Sequence, residues 1–452
     1  MSHPKTLLLF NYDWDELGAK RLKDNWPSLE SGFDLFSFPS NARLAWFDTE
    51  RFVAKAAVFA RLTGAKAVTS NHEQFGALCA ALLAEKMGWP GTPVKAILAC
   101  QHKLYARQIL QQVAPEANPT FSRLDAAYGG PVPNHIQYPQ FVKPVKAAFS
   151  VLSRVVNNQQ ELHEHTRFGA WELWVIKHLV EPFERIARKR LPEAGTAHSM
   201  LLEAPVTGRQ YNLDGYVWKG QVRALGVVDE VMYPDTDAFM RFEYPSQLRT
   251  TVQARAADVA RRFLNAVGFD HGLFNMEFFH DEARDKITVI EFNPRMASQF
   301  SDLYLRVDGI DLHEIAFALA HGIDPATLNR APTTAGSAAS FVYRSFDPKA
   351  QVAFPTTAQK NSFRESFPDA LFFEYIKDAK ELQRDFKWLR SYRYGIVHLG
   401  GDNTQHLRQR CEQASAMLGW TAPYLDAPPN RAPETHTTKP ELFLSKPVST
   451  ST

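Results

Sequence analysis

The segment that most restricts how this chain can fold runs from residue 272 to 295, GLFNMEFFHDEARDKITVIEFNPR. Two apolar runs flank a polar centre near Arg284, the pattern of a β-hairpin. Alternate residues of a strand share a face, so Glu291 and Asn293 point the same way. Pairing the runs about the turn sets Glu277 opposite Glu291, with Cβ atoms about 4.5–5.5 Å apart. Two carboxylates that close repel each other, and one or two hard cations would resolve the conflict. Mg²⁺ suits such a place, since it takes a couple of carboxylates plus phosphate oxygens and water. Asn293 adds a neutral side-chain oxygen. Arg295, two residues on, is positioned to meet an anion beside the metal. A surface hairpin with solvated acids is the competing reading, but both strands are too apolar for solvation on both faces. Glu277, Glu291 and Asn293 are therefore the candidate metal ligands.

The rest of the chain sets the hairpin in context. At 452 residues it is too long for one simple core, and two to four domains are expected. Strands at Thr6–Phe10, Phe33–Phe38 and Ala67–Ser70 alternate with helices at Trp14–Lys23, Thr49–Leu62 and Glu73–Gly88. That order predicts a small parallel α/β domain. Its first strand is not followed by G-x-G-x-x-G, which argues against dinucleotide binding. Further on, the pattern predicts a helix over 100–112, a strand at Tyr138–Lys143 and one long helical stretch over Gln160–Lys189. It also predicts a hairpin turned at Lys219–Gly220, a helix over 251–267, and strands at Ala338–Arg344, Leu371–Ile376 and Gly395–Gly400. The Pro-, Thr- and Ser-rich tail from Ala427 predicts disorder.

Several functional classes are excluded at this level. A net charge of +2 offers no nucleic-acid footprint and no attraction to an anionic membrane surface. No stretch approaches the roughly 20 apolar residues needed to span a bilayer, and the N-terminal apolar run reads as a strand, not a signal peptide. Cys79, Cys100 and Cys411 have no metal-like spacing and fit a reducing cytoplasm. The 15 histidines show no metalloenzyme arrangement.

The E-F-N-P-R of residues 291–295 resembles the E-[IVF]-N-P-R motif of ATP-grasp enzymes, particularly the carboxylate–amine ligase subgroup that holds bacterial L-amino-acid ligases. The resemblance covers roughly residues 65–325. It implies an ATP-grasp fold, both α/β and α+β in class: a Rossmann-like N-terminal domain (1–110), a lid subdomain (111–203) and a catalytic subdomain with the metal site (204–330). A C-terminal α/β subdomain (331–426) and a disordered tail (427–452) complete it. It also implies roles. Arg295 binds phosphate or an acyl-phosphate intermediate. Lys103, in a K-x-x-x-R pattern with Arg107, and Lys143, in FVKP, contact phosphates. The segment LLEAPVTGRQ resembles the adenine hinge: main-chain groups near Ala204 and Val206 would pair with adenine, Glu203 would sit at its exocyclic amine, and Gln210 would reach a ribose hydroxyl. Many relatives follow the second lysine with a Gly-rich loop. Here the loop is VKAAFSVLS, where Lys146, Ser150 and Ser153 offer donors instead. FEYPSQL, with Arg241 and Glu243, resembles the stretch lining the acceptor region.

The expectation is thus an enzyme using ATP and Mg²⁺, with Mn²⁺ as a substitute, to join a small carboxylate to an amine through an acyl phosphate, releasing ADP and phosphate. A homodimer is left open. The rival readings are carboxylation as in biotin carboxylase, acid–thiol ligation, and an ATP-binding protein without turnover.

Overall fold

The computed structural model describes residues 3–33, 43, 46–126, 130–146 and 152–424. The N-terminal unit has three parallel strands in the order β2-β1-β3: β1 (Thr6–Leu9), β2 (Ser28–Ser31) and β3 (Ala67–Thr69). Helices α1 (Asp13–Leu22), α2 (Thr49–Thr63) and α3 (Gly76–Met87) connect and cover them. The second strand falls at Ser28–Ser31, earlier than the expected Phe33–Phe38, whose residues 34–38 lie outside the described set. Its S-L-E-S sequence is only partly buried, so it lacks the apolar run that marks its neighbours. The third helix begins at Gly76, and Glu73 lies in the turn before it.

Helices α4 (Val94–Gln101) and α5 (Lys103–Val113) lead to a four-stranded antiparallel sheet, ordered β4-β7-β5-β6: β4 (Phe121–Leu124), β5 (Gln140–Pro144), β6 (Arg154–Val156) and β7 (Met200–Glu203). The long helical stretch expected over Gln160–Lys189 is two helices, α6 (Gln159–Thr166) and α7 (Ala170–Arg190), interrupted at Arg167–Gly169.

An eight-stranded sheet, ordered β12-β11-β8-β9-β10-β13-β15-β14, carries the site. Its strands are β8 (Arg209–Trp218), β9 (Gln221–Met232), β10 (Phe239–Tyr244), β11 (Gly272–Asp281), β12 (Lys286–Asn293), β13 (Ser337–Ser345), β14 (Leu371–Glu374) and β15 (Tyr392–Gly401). Strands after residue 331 extend this sheet and form none of their own among the described residues. Five helices flank it: α8 (Thr250–Ala266), α9 (Ser301–Asp308), α10 (Leu312–Ala320), α11 (Thr357–Ser366) and α12 (Ala379–Leu389). A sixth, α13 (Thr404–Leu418), closes the described chain.

Helix α8 explains why one face of this sheet is free for chemistry. Val252, Ala256, Val259, Ala260, Phe263 and Leu264 form its buried stripe. That stripe packs with Leu213, Phe274, Met276, Phe278, Val289 and Phe292, the apolar half of three strands. The Phe263 and Phe292 rings stack at 3.8 Å. Because strand side chains alternate, the residues between them, Asn212, Asp214, Asn275, Glu277, Glu291 and Asn293, face away from α8.

The alternation is broken once, and the break matters. Glu277 pairs with Glu291 but Phe278 pairs with Val289, so Ile290 is an extra residue, a β-bulge. The bulge lets Val289 and Phe292 both enter the core although three residues apart. At the bulge, Arg107 of α5 donates to the carbonyls of Val289 and Ile290 at 2.8 and 2.7 Å.

Candidate active site

The opposition of Glu277 and Glu291 is realised in the register of β11 and β12, with Asn275 opposite Asn293 one step along. Asn293 Nδ2 donates to Glu277 Oε1 at 3.0 Å and to Asn275 Oδ1 at 3.2 Å. Asn275 Nδ2 donates to Asp214 Oδ1 at 3.0 Å, and Tyr304 OH donates to Asp214 Oδ2 at 3.1 Å. This chain of amides and acids fixes the orientation of Asn293. The two glutamates titrate in opposite directions. Burial and the facing Glu291 carboxylate push Glu277 up. Burial would also raise Glu291, but the Lys103 ammonium outweighs it, helped by Lys143, and Glu291 stays low.

Lys103, the first residue of α5, is ion-paired with Glu291. Its N–H bonds the Val145 carbonyl at 3.0 Å, tying α5 to the end of β5. Lys143 Nζ lies 2.9 Å from Glu203 Oε2, and Arg107 Nε lies 2.6 Å from Glu203 Oε1. Burial draws Lys143 down to about 8 despite that carboxylate. Arg295 Nη2 meets Glu73 Oε2 at 2.9 Å. Every one of these cations therefore already holds a carboxylate.

Most expected site residues converge here: Lys103, Lys143, Glu203, Glu277, Glu291, Asn293 and Arg295. Among the described residues no group of three or more His, Cys, Asp or Glu side chains gathers as a metal site. The candidate set of two carboxylates and an amide matches instead how Mg²⁺ shares its shell with phosphate and water. The opposed acids, with Glu277 raised by its neighbour, have the anionic excess a divalent cation would relieve.

Other expectations change. Glu203 does not open toward a ligand: it is 3% exposed and enclosed by Arg107 and Lys143. The Ala204 N–H donates to Thr120 O at 2.9 Å, which leaves its carbonyl and the unpaired stretch to Gly208 as the hinge. Val206 lies in that stretch, and Gln210, paired with Phe279 and Glu230, sits at the start of β8. Ser150 lies outside the described residues. Arg241 and Glu243, expected near the acceptor region, lie on the opposite face of the sheet from Glu277 and Glu291. Phe242 pairs with Glu230 and so shares the site face, which turns Arg241 and Glu243 to the other side. There they pair with each other at 2.9 Å, and the Arg241 guanidinium lies 4.2 Å from the Tyr424 ring centroid.

Glu73, Asp214, Asn275 and Glu230 escaped the sequence reading. The last three had a signal, polar residues at period two inside apolar strands, as in Y-N-L-D-G. Glu230 is buried, bonded through Oε1 to Asn212, and its Oε2 has no partner. Glu73 had no such signal, because its partner lies 222 residues away.

Residues 136–302 match the family model of the ATP-grasp domain, and the described residues take the ATP-grasp fold. Among solved structures, the L-amino acid ligase from Bacillus licheniformis superposes with a TM-score of 0.68 at 13% identity, covering 92% of this chain and 98% of that one. A biotin carboxylase from Campylobacter jejuni superposes with a TM-score of 0.59 at 16% identity, covering 92% of each chain. Among curated sequences, carnosine synthase 1 of Gallus gallus is 28% identical over 267 residues, 55% of this chain and 27% of the relative. The uncharacterized protein y4rH of Sinorhizobium fredii is 28% identical over 252 residues, 54% of this chain and 47% of the relative. The chain thus spans between a quarter and a half of the length of these curated relatives. No helix among the described residues is long and apolar enough to cross a membrane.

Proposed function

We propose that the chain is an ADP-forming ligase that joins a small carboxylate to an amine. The observation carrying this reading is the Glu277–Glu291 pair with Asn293, set between Lys103 on one side and Arg295 on the other. The fold shared with an L-amino acid ligase and the sequence similarity to carnosine synthase support it.

Three ion pairs act as placeholders in this reading. Lys103 holds Glu291, Lys143 holds Glu203, and Arg295 holds Glu73. ATP and Mg²⁺ would exchange these partners. Glu277, Glu291 and Asn293 would hold the metal, which supplies charge neutralisation at the transferring phosphoryl group. Lys103, released from Glu291, turns to the phosphates alongside Lys143. A carboxylate oxygen of the acid then attacks the γ-phosphorus as the bond to the β–γ bridging oxygen breaks, and ADP departs. Arg295 steadies the phosphoryl oxygens of the acyl phosphate. The amine nitrogen attacks the acyl carbon, the C–O bond to phosphate breaks, and the amine loses its proton to solvent. The protein contributes positioning and charge stabilisation, the usual means of phosphoryl transfer.

The test is a panel of acids and amines scored by phosphate release, with bicarbonate as one arm because the fold is shared with biotin carboxylase. The nucleotide product should be ADP, and hydroxylamine should trap a hydroxamate with the right acid. AMP as the main product in chromatography would overturn the mechanism even if a ligated product formed.

Nucleotide affinity checks the lysines separately. Lys103→Ala and Lys143→Ala should each weaken ATP binding by about 1.5–3 kcal/mol, the cost of losing a charge-assisted contact. Calorimetry giving unchanged affinity for both variants would move the phosphate site elsewhere.

A further inference from the structure

Lys146 is a further cation at this site, and its surroundings differ from those of the others. Lys103, Lys143 and Arg295 each have a carboxylate within ion-pair distance. Lys146 is 2% exposed, and among the described residues no carboxylate lies within ion-pair distance of it. Its ammonium sits 5.1 Å from the centroid of the Phe183 ring on α7. A ring face is a weak substitute for water around a buried charge, so an ammonium kept here calls for an anion. Burial pulls it down to about 8, with Glu73 and Glu291 acting against that and Lys103 adding to it.

The backbone holds Lys146 in place. Val145 donates to Ser199 O at 2.9 Å and accepts from Lys103 N–H at 3.0 Å. Contacts give the order of the lysines along the cleft. Lys143 pairs with Glu203, beside the hinge. Lys146 follows Val145, whose carbonyl accepts from the N–H of Lys103, the lysine paired with Glu291. A triphosphate lying from the hinge toward Glu291 would therefore bring its terminal phosphate toward Lys146. The sequence after Pro144 contains no glycine until Gly169, and a lysine stands at its second position.

We propose that Lys146 binds the terminal phosphate of ATP, supplying by side chain what a glycine-rich loop supplies by main-chain N–H groups. This rests on the ATP-dependent reading above. Lys146 then distinguishes ATP from ADP, while Lys103 and Lys143 serve phosphates common to both.

The test is calorimetry of the full chain with ATP and with ADP, in Mg²⁺ and without acid or amine. Lys146→Met keeps the aliphatic stem over Phe183 and removes the charge; Lys146→Gln is the second variant should the first fail to fold. Either should bind ATP about tenfold or more weakly while ADP binding stays near wild type, the expected loss of one charge-assisted contact. Lys146→Arg should keep the preference for ATP. A merely structural role would weaken both nucleotides alike and leave their ratio unchanged, and that result would overturn the assignment while leaving the ligase reading intact. A wild-type chain that bound neither nucleotide would overturn both.

Discussion

Glu291→Gln should reduce phosphate release by on the order of 10³-fold, the scale on which a missing charge-stabilising group slows such reactions. The substitution is isosteric, so packing on β12 is retained. What changes is charge. Glu291 is the acid that Lys103 and Lys143 keep ionised, and hence the one ready to take a cation. Glu277 opposite is pushed toward its neutral form by burial and by Glu291. Removing Glu291 therefore removes the one carboxylate of the pair that is charged before metal arrives, and leaves Lys103 without its ion-pair partner. Asn293→Ala should act in the same direction, since Asn293 bridges Glu277 and Asn275. Phosphate release by purified, folded Glu291→Gln at near wild-type rate would sink the metal-site assignment.

How far the sequence alone carried this reading depends on how local each feature is. The β11–β12 hairpin was legible because a polar turn between apolar runs fixes the register, and the register puts Glu277 against Glu291. The bulge at Ile290 was not legible, since T-V-I-E-F-N reads equally well as unbroken alternation. Only the demand that Val289 and Phe292 both pack under α8 reveals it. The same parity problem misled the reading of Arg241 and Glu243. A motif identifies a stretch, but which side chains face the site is decided by pairing with β9, and that pairing selects Phe242. Glu73 was beyond reach for another reason: it comes from the turn after β3, and only tertiary packing brings it to Arg295. The enclosure of Glu203 was out of reach too, because its neighbours Arg107 and Lys143 come from separate elements.

Arg107→Met should be the most destabilising single change in the catalytic region, by about 3–5 kcal/mol, the range for breaking a buried ion pair from one side. Arg107 is 4% exposed. Its guanidinium ties α5 to two strands: Nε to Glu203 at the end of β7, and Nη1 and Nη2 to the Val289 and Ile290 carbonyls at the bulge of β12. Methionine fills similar space but takes the guanidinium donor from both carbonyls, leaving Ile290 O only the 3.4 Å contact from Lys143, and returns the whole charge of Glu203 to Lys143. Burial is costly for a carboxylate with half its counter-charge gone, and it is costly for bare carbonyls. Glu291 follows directly after the bulge, so loosening Ile290 should also let this proposed metal ligand drift. A displacement of about 1 Å is enough to slow positioned chemistry 10²-fold. The expected result is a lower denaturation midpoint together with a fall in turnover, unlike Glu291→Gln, where relief of the repulsion on Glu277 offsets the lost Lys103 pair and turnover falls far more than the midpoint. Arg107→Lys separates the two contributions. A lysine can still face Glu203 as a point charge, but it lacks the planar fork that reaches both carbonyls at once. It should recover part of the stability and less of the activity. An Arg107→Met chain with wild-type midpoint and turnover would mean that the bulge is held by the sheet alone.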